Sequence, residues 1–136
     1  MATRRADAPV RLRVGGVDDL DDVMRIMTAA FSPCYGEAWT RSQCSGILPM
    51  TGVTLTIAEE GRAAVGFSLV RRVADEAELL LLAVDPDYQR RGIGQALLDD
   101  FIAAALAHGA HRLHLEVRDG NPALSLYRSA GFVAAG

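Results

Sequence analysis

The sequence has little of what marks secreted, membrane-spanning or metal-binding proteins. Its 136 residues include only two cysteines, Cys34 and Cys44, and neither has a Cys-x-x-Cys partner, so free thiols are expected. No apolar run approaches the length of a membrane span. The basic residues 1–6 are followed by polar residues and proline instead of an apolar core, which argues against a secretory signal. A cytoplasmic location is therefore expected.

An excess of positive charge is missing as well. The formal net charge is −3 and the isoelectric point is near 5.5, which argues against broad nucleic-acid binding but suits a basic substrate or peptide. The apolar share of 50% is that of a globular protein, and the length fits one domain over residues 1–136. There are no internal repeats or low-complexity tracts.

A strand, a loop and a helix follow one another between Leu79 and Ala107. The apolar run 79–84 ends at Asp85-Pro86, and because proline cannot donate to a strand ladder, the run predicts a buried central strand that stops there. After two glycines, apolar residues recur at helical spacing up to the stop at His108-Gly109. These residues are Ile93, Leu97, Leu98, Phe101, Ile102 and Ala105.

The loop between this strand and helix has the composition of an anion site. Free amides at a helix N-terminus bind anions, and Gly92 and Gly94 allow a ligand to come close to the backbone. Arg90 and Arg91 add positive charge, so the loop predicts a phosphate site. A simple turn is the alternative, and neither the G-x-G-x-x-G dinucleotide fingerprint nor a Gly-Lys-Ser/Thr loop is present.

The rest of the pattern predicts an α/β fold with a mixed, mostly antiparallel sheet flanked by helices. The expected element order is β-α-α-β-β-β-α-β-α. Asp18 is expected to cap the first helix, which Ser32-Pro33 ends, and Thr40 to cap the second. Asn121 and Pro122 are expected to start the last helix. The predicted strands are 10–14, 52–59, 63–73, 79–84 and 112–117; the other helices are 19–31, 40–47 and 93–107.

The segment Gln89-Arg90-Arg91-Gly92-Ile93-Gly94, after Ala83-Val84-Asp85-Pro86, resembles the acyl-CoA pyrophosphate loop of the GCN5-related N-acetyltransferases, Q/R-x-x-G-x-G/A. The predicted element order is also similar to that fold. Residues 76–133 look most like the ribosomal-protein alanine N-acetyltransferases. The stretches that carry this likeness include Leu115-Glu116-Val117-Arg118, Asn121, Leu126-Tyr127 and Gly131-Phe132.

The resemblance implies an acetyl-CoA-dependent acetyltransferase for the α-amine of a protein N-terminus, expected to be a ribosomal protein. It makes Glu116 the general base and Tyr127 the general acid. Such roles fit the chemistry, because a largely protonated amine must lose a proton and the leaving thiolate must gain one. The cofactor contacts that it implies are Leu82, Ala83, Val84, Arg90, Arg91, Gly92, Ile93, Gly94, Gln95 and Asn121.

Other interpretations of these residues stay open. Glu116 also suits a solvated strand position, Tyr127 a core position, and Asn121 a helix cap. The evenly spaced His108, His111 and His114 straddle a helix end, a turn and a strand, so no metal site is expected. A small-amine acetyltransferase and a non-catalytic acyl-CoA-binding module are the alternative functions.

Two departures from the family pattern concern residues 31–40 and the chain end. The first segment has several extra residues on the side where related enzymes bind the acceptor, which leaves the acceptor less defined than the cofactor. The family fold normally continues with two more strands beyond residues 132–136. The sheet is thus predicted to lack its last one or two strands, and the open edge at 112–117 to recruit a second copy.

Overall fold

The chain folds into strands and helices in the predicted order. A computed structural model describes residues 9–31, 38–116 and 123–133. The strands are β1 Val10–Val14, β2 Val53–Glu60, β3 Ala63–Val73, β4 Glu76–Val84 and β5 Arg112–Leu115. The helices are α1 Leu20–Ala30, α2 Arg41–Ile47, α3 Ile93–Ala107 and α4 Leu124–Ser129, with short 3-10 turns at Val17–Asp19 and Pro86–Tyr88.

The five strands form one sheet in the order β1-β2-β3-β4-β5, which confirms the predicted fold class. The first four are antiparallel neighbours: tight turns join β2 to β3 and β3 to β4, while α1 and α2 lie between β1 and β2 in the chain. Gly61, with φ of +62°, supplies the left-handed residue of the first turn. Helix α3 is a crossover, so β5 runs parallel to β4.

The sheet is covered on both faces. Helices α1 and α2 pack on one face through Val23, Ile26, Met27 and Cys44, which lie against Leu55, Ile57, Phe67 and Leu81 of the strands. Helix α3 packs on the other face, where Leu97, Leu98 and Phe101 are buried. The free thiol of Cys44 is in the first layer, while Cys34 lies outside the described residues.

The ends of several elements differ from their predicted positions. Strand β4 begins at Glu76, three residues before the predicted start at Leu79, because the charged residues Glu76 and Glu78 alternate with the buried Ala77 and Leu79. Asp19, not Asp18, is the N-cap residue of α1, and its carboxylate makes no capping bond but accepts hydrogen bonds from Arg13 Nη2 at 2.6 Å and Gly16 N at 2.9 Å. Helix α4 begins at Leu124 with Ala123 at its N-cap, and the predicted start at Asn121-Pro122 lies outside the described residues. Strand β5 ends at Leu115, two residues before the predicted end.

Thr40 caps α2 as predicted. Gln43 N donates to Thr40 Oγ1 at 3.1 Å, and Thr40 N donates to the Gln43 side chain at 2.7 Å. The two side chains thus form a reciprocal capping box that the sequence Thr-x-x-Gln encodes locally.

A β-bulge at Leu80 changes the course of β4. Leu69 pairs with Leu81 and Val70 pairs with Leu79, which leaves Leu80 without a partner on β3. The extra residue reverses the alternation, so Leu79 packs towards α3 whereas Leu81 packs towards α1. Strand β5 pairs only with residues 76–79 of β4. In the described part of the chain, β4 therefore has β3 as its only strand neighbour beyond the bulge.

Gly66 provides the first test of this packing. A Cβ at Gly66 would lie 3.0 Å from Ala83 O and 3.2 Å from Ile93 Cγ2, so Gly66→Ala should lower the free energy of unfolding by about 1–3 kcal/mol. Gly46→Ala is the matched control: it meets no atom within 4 Å and should stabilise α2 by up to about 1 kcal/mol. Urea denaturation measures both, and a Gly66→Ala protein as stable as wild type would contradict the packing.

Asp19 provides the second test. The Arg13 guanidinium beside it holds the pKa of the Asp19 carboxyl below its usual value, so the carboxylate stabilises the fold above the unfolded pKa of about 3.9. This contribution is lost as the pH falls through the lowered folded pKa. We expect Asp19→Asn to reduce Tm clearly at pH 7 and progressively less below about pH 4. The exposed Asp18→Asn should change Tm little, and a pH-independent loss in Asp19→Asn would contradict the ion pair.

Candidate active site

The candidate site is the space beside β4 where, among the described residues, its pairing with β5 ends; we call it the gap between β4 and β5. Leu79 and Leu115 form the last pair between these strands, and the exposed Glu116 follows at once. Beyond this pair, the half-buried Leu82 and Val84 point from β4 towards the α3 side of the sheet. The predicted base therefore stands at the mouth of a gap whose wall is the edge of β4 that no strand covers among the described residues.

Gly94 shows that three elements meet beside this gap. A Cβ at Gly94 would lie 3.6 Å from Leu126 Cδ2, 3.7 Å from Val84 Cγ2 and 3.9 Å from Leu82 Cδ2. The start of α3, the end of β4 and helix α4 thus converge here, and the structure brings together the predicted contacts Leu82, Val84 and Gly94. Leu126 is an additional wall residue. Leu126 belongs to the family-like stretch Leu126-Tyr127, but the sequence does not predict it as a contact, because its place depends on how α4 packs.

The N-terminus of α3 faces this region with free backbone donors. Gly92 is its N-cap with φ of +79°, a left-handed conformation that glycine adopts without strain. The first helical hydrogen bond runs from Ala96 N to Gly92 O at 2.9 Å, so the amides of Ile93, Gly94 and Gln95 precede it and have no carbonyl partner within the helix. These amides and the dipole of a 15-residue helix favour a bound anion.

For three other predicted cofactor contacts, the side chain is buried in the core or hydrogen-bonded to another residue, which leaves the main chain for a ligand. The Ala83 side chain is buried on the α1 face, and the Ile93 side chain is buried beside Ala58 and Leu97. The Gln95 side chain donates to Asp99 Oδ1 at 2.8 Å on the next turn of α3. Asn121 lies outside the described residues, so its predicted contact has no structural account.

Arg90 and Arg91 differ although they are neighbours. Arg90 is exposed, and its φ of +65° is unusual for a residue other than glycine. Arg91 Nη1 instead contacts both carboxylate oxygens of Glu60, at 2.9 and 3.1 Å, and its guanidinium carbon lies 5.1 Å from the centre of the Tyr88 ring. Sequence reasoning missed Glu60, because it is distant along the chain and no local pattern joins the two residues.

Asp85 fixes the other end of the loop. Asp85 N donates to Val65 O at 2.8 Å, its Oδ1 accepts from Asp87 N at 3.0 Å, and its Oδ2 accepts from Arg25 Nη1 at 3.2 Å. Arg25 also donates to Ala64 O at 2.9 Å, so α1 is hydrogen-bonded to the start of β3 as well. The loop thus starts from a residue that is held by both β3 and α1.

Tyr127 is a buried aromatic next to the parting strands. It packs in the same cluster as Leu79 and Phe101, and its ring meets that of Phe132 edge-on with centroids 6.4 Å apart. The core interpretation of its ring is therefore correct. Its role as the acid stays a prediction, as does that of the exposed Glu116.

The histidines take part in local structure. His108 Nδ1 lies 2.7 Å from Ala104 O at the end of α3, and His114 Nε2 lies 3.4 Å from Glu76 Oε1. Within residues 9–31, 38–116 and 123–133, no group of three or more histidine, cysteine or acidic side chains is placed to hold a metal ion. No helix in these ranges is both long and apolar enough to cross a bilayer.

Comparison with known proteins identifies the family. The profile of the acetyltransferase (GNAT) family matches residues 20–132. The chain belongs to the GNAT family. The chain is also similar to the [ribosomal protein bS18]-alanine N-acetyltransferase of Escherichia coli K12, with 46% identity over 77 residues, which are 56% of this chain and 51% of that protein. The chain spans about half the length of the curated relatives that it matches.

Other GNAT relatives agree over more of the chain. The mycothiol acetyltransferase of Clavibacter sepedonicus is 34% identical across 97% of this chain and 45% of that protein. The crystal structure of the ribosomal-protein-S18-alanine N-acetyltransferase from Escherichia coli superposes with a TM-score of 0.86 at 30% identity, covering 94% of this chain and 80% of that one. PaiA N-acetyltransferase from Thermoplasma acidophilum, solved with coenzyme A, shares the fold: TM-score 0.82, 21% identity, 93% and 91% coverage.

Proposed function

We propose that the chain is an acetyl-CoA-dependent N-acetyltransferase. The observation that carries this proposal is the gap between β4 and β5 in the described part of the chain, with the first amides of α3, which have no partner within the helix, on one side and the exposed Glu116 carboxylate at its mouth. Membership of the GNAT family supports the same activity. A cofactor that carries a pyrophosphate and a thioester would supply the acetyl group in an activated form.

The residues present fit such a cofactor. The amides of Ile93, Gly94 and Gln95, with the exposed Arg90, would hold a pyrophosphate. In the described part of the chain, no strand pairs with the β5 side of β4 from Leu80 to Val84, so the main-chain groups on that edge would be available to an amide-containing arm. An amide of this edge, near Val84, is the donor that we assign to the thioester oxygen.

Glu116 is assigned as the general base and Tyr127 as the general acid. An α-amine with a pKa of about 8 is mostly protonated at neutral pH, so a carboxylate must take a proton before the nitrogen can attack. The exposed position of Glu116 gives it access to an incoming amine or an intervening water. A phenol with a pKa of about 10 can return a proton to the leaving thiolate.

The α-amine of a protein, expected to be a ribosomal protein, is the acceptor that we favour. The 46% identity with the Escherichia coli bS18 enzyme over 77 residues supports this choice. The mycothiol acetyltransferase relative, which aligns with nearly the whole chain, keeps a small-molecule amine as the second candidate. Pairing of two copies through the β5 edge also stays a prediction.

Mass spectrometry with acetyl-CoA, a panel of N-terminal peptides and a panel of small amines distinguishes these acceptors. The chain contains no lysine, so acetylation of its own side-chain amines cannot obscure the result. Acetylated peptides would support the leading proposal. Acetylated small amines alone would support the second candidate. Tight coenzyme A binding with no transfer to either panel would instead favour a non-catalytic acyl-CoA-binding module.

Gly92 tests the anion site. Both Gly92→Asp and Gly92→Asn place a side chain on a left-handed residue that faces open space, and the two side chains have nearly the same shape. Only aspartate adds a negative charge beside the pyrophosphate, so it should weaken coenzyme A binding about 10-fold more than asparagine does. Calorimetry on the folded variants measures this difference, and equal affinities would rule out a pyrophosphate at this helix end.

Glu116 tests the chemistry. Glu116→Gln keeps the size of the side chain but cannot accept a proton, so kcat should fall by about 10²-fold with nearly unchanged acetyl-CoA affinity. The loss should shrink as the pH rises above the amine pKa, because the nucleophile is then already neutral. Tyr127→Phe keeps the ring in its cluster and should also lower kcat rather than affinity.

A rate profile from pH 6 to 10 measures both variants. Glu78→Gln, on β4 before the bulge, is the matched control for loss of a strand carboxylate and should keep the wild-type rate. A wild-type rate in Glu116→Gln or Tyr127→Phe would return that residue to a structural role. A loss confined to acetyl-CoA affinity would place it in the cofactor site instead.

A further inference from the structure

Three side chains clamp the anion-binding loop to the end of β2. Glu60 accepts two hydrogen bonds from Arg91 Nη1, and the Arg91 guanidinium lies over the Tyr88 ring. The Glu60 side chain is only 15% exposed, while that of Arg91 is 38% exposed. We call Glu60, Arg91 and Tyr88 the Glu60 clamp. It joins two segments of the chain that are 31 positions apart at its ion pair.

The clamp works against anion binding on charge alone. Glu60 compensates the positive charge of Arg91 and adds its own negative charge beside the N-terminus of α3. If Arg91 were there to bind phosphate, removing Glu60 would release its guanidinium and strengthen binding. If the clamp holds the loop, removing Glu60 would weaken binding in spite of the favourable change in charge. The two roles therefore predict opposite signs for one substitution.

The backbone of the loop needs support from outside. Arg90 has a φ of +65° and Gly92 a φ of +79°, so two left-handed residues flank Arg91. A non-glycine residue in this conformation costs free energy and persists where its surroundings hold it. At the start of the loop, Asp85 is hydrogen-bonded to Arg25 and Val65. At its end, the Glu60 clamp holds Arg91 in the same way. Tyr88 links the clamp to the core, since it packs against the cluster of Ile93 and Leu97.

We propose that Glu60 is a positioning residue that holds the 88–92 turn in its anion-binding conformation, and that Arg91 acts through Glu60 rather than on the phosphates. This inference rests on the proposed function for the identity of the anion, but the positioning itself is a property of the free protein. Arg90 is then the cationic side chain of the pair that reaches the ligand.

Coenzyme A titrations at several salt concentrations test the proposal. Glu60→Gln and Arg91→Gln should each weaken binding about 5-fold, as for a modest ion pair, and the double variant should be no weaker than either. The salt dependence should persist in Arg91→Gln and decrease in Arg90→Gln, which removes the phosphate contact. Asp87→Asn, which removes an exposed acidic charge from the same loop, is the matched control and should bind as well as wild type or better.

Hydrogen exchange of the loop amides in the ligand-free protein gives a second readout. Glu60→Gln and Arg91→Gln should speed the exchange of residues 88–95 by a similar factor, whereas Arg62→Gln, an exposed change next to Glu60 in the chain, should not. Unchanged exchange, or tighter coenzyme A binding by Glu60→Gln, would overturn the positioning role. If wild type binds no coenzyme A, the proposed function fails, and the exchange measurement still decides whether Glu60 orders the turn.

Discussion

The single extra residue in β4 determines how the two halves of the sheet relate. Without the bulge at Leu80, the alternation of β4 would continue, and Leu79 and Leu81 would face the same helix layer. With the bulge, Leu79 packs towards α3 and Leu81 packs towards α1. Among the described residues, the last pair with β5 lies next to this bulge. One backbone irregularity therefore sets which helix layer each part of β4 packs against, at the position where the gap begins.

Much of the fold could be predicted from local patterns. Alternation fixed β1, the capping box fixed the start of α2, and the glycines at positions 92 and 109 bounded α3. The bulge was not predicted, because a run of four leucines reads the same with either face buried. The predicted cap of α1 is one residue too early, since Asp18 and Asp19 are adjacent identical residues and the ion pair that distinguishes Asp19 involves Arg13 on another element.

The candidate site shows the same division. The Gly92 helix start and the Leu82 and Val84 wall follow from the motif and from strand alternation. Glu60 and Arg25 were missed because each reaches the loop from a distant part of the chain. Glu60 binds Arg91, whereas the neighbouring Arg90 is exposed. Arg25 holds Asp85 at the start of the loop. Both contacts depend on how distant elements pack together, so no fixed spacing in the sequence predicts them.

The short pairing between β4 and β5 also makes stability depend on ligand concentration. In the described part of the chain, the edge of β4 beyond Leu79 is a row of main-chain donors and acceptors that no strand pairs with and that a bound ligand would satisfy. Any ligand that binds this edge only in the folded chain adds RT ln(1 + [L]/Kd), about 2.7 kcal/mol at a concentration of 100 Kd. A ligand that binds in this gap would therefore raise the fraction of the protein that is folded, and the rise would depend on the ligand concentration.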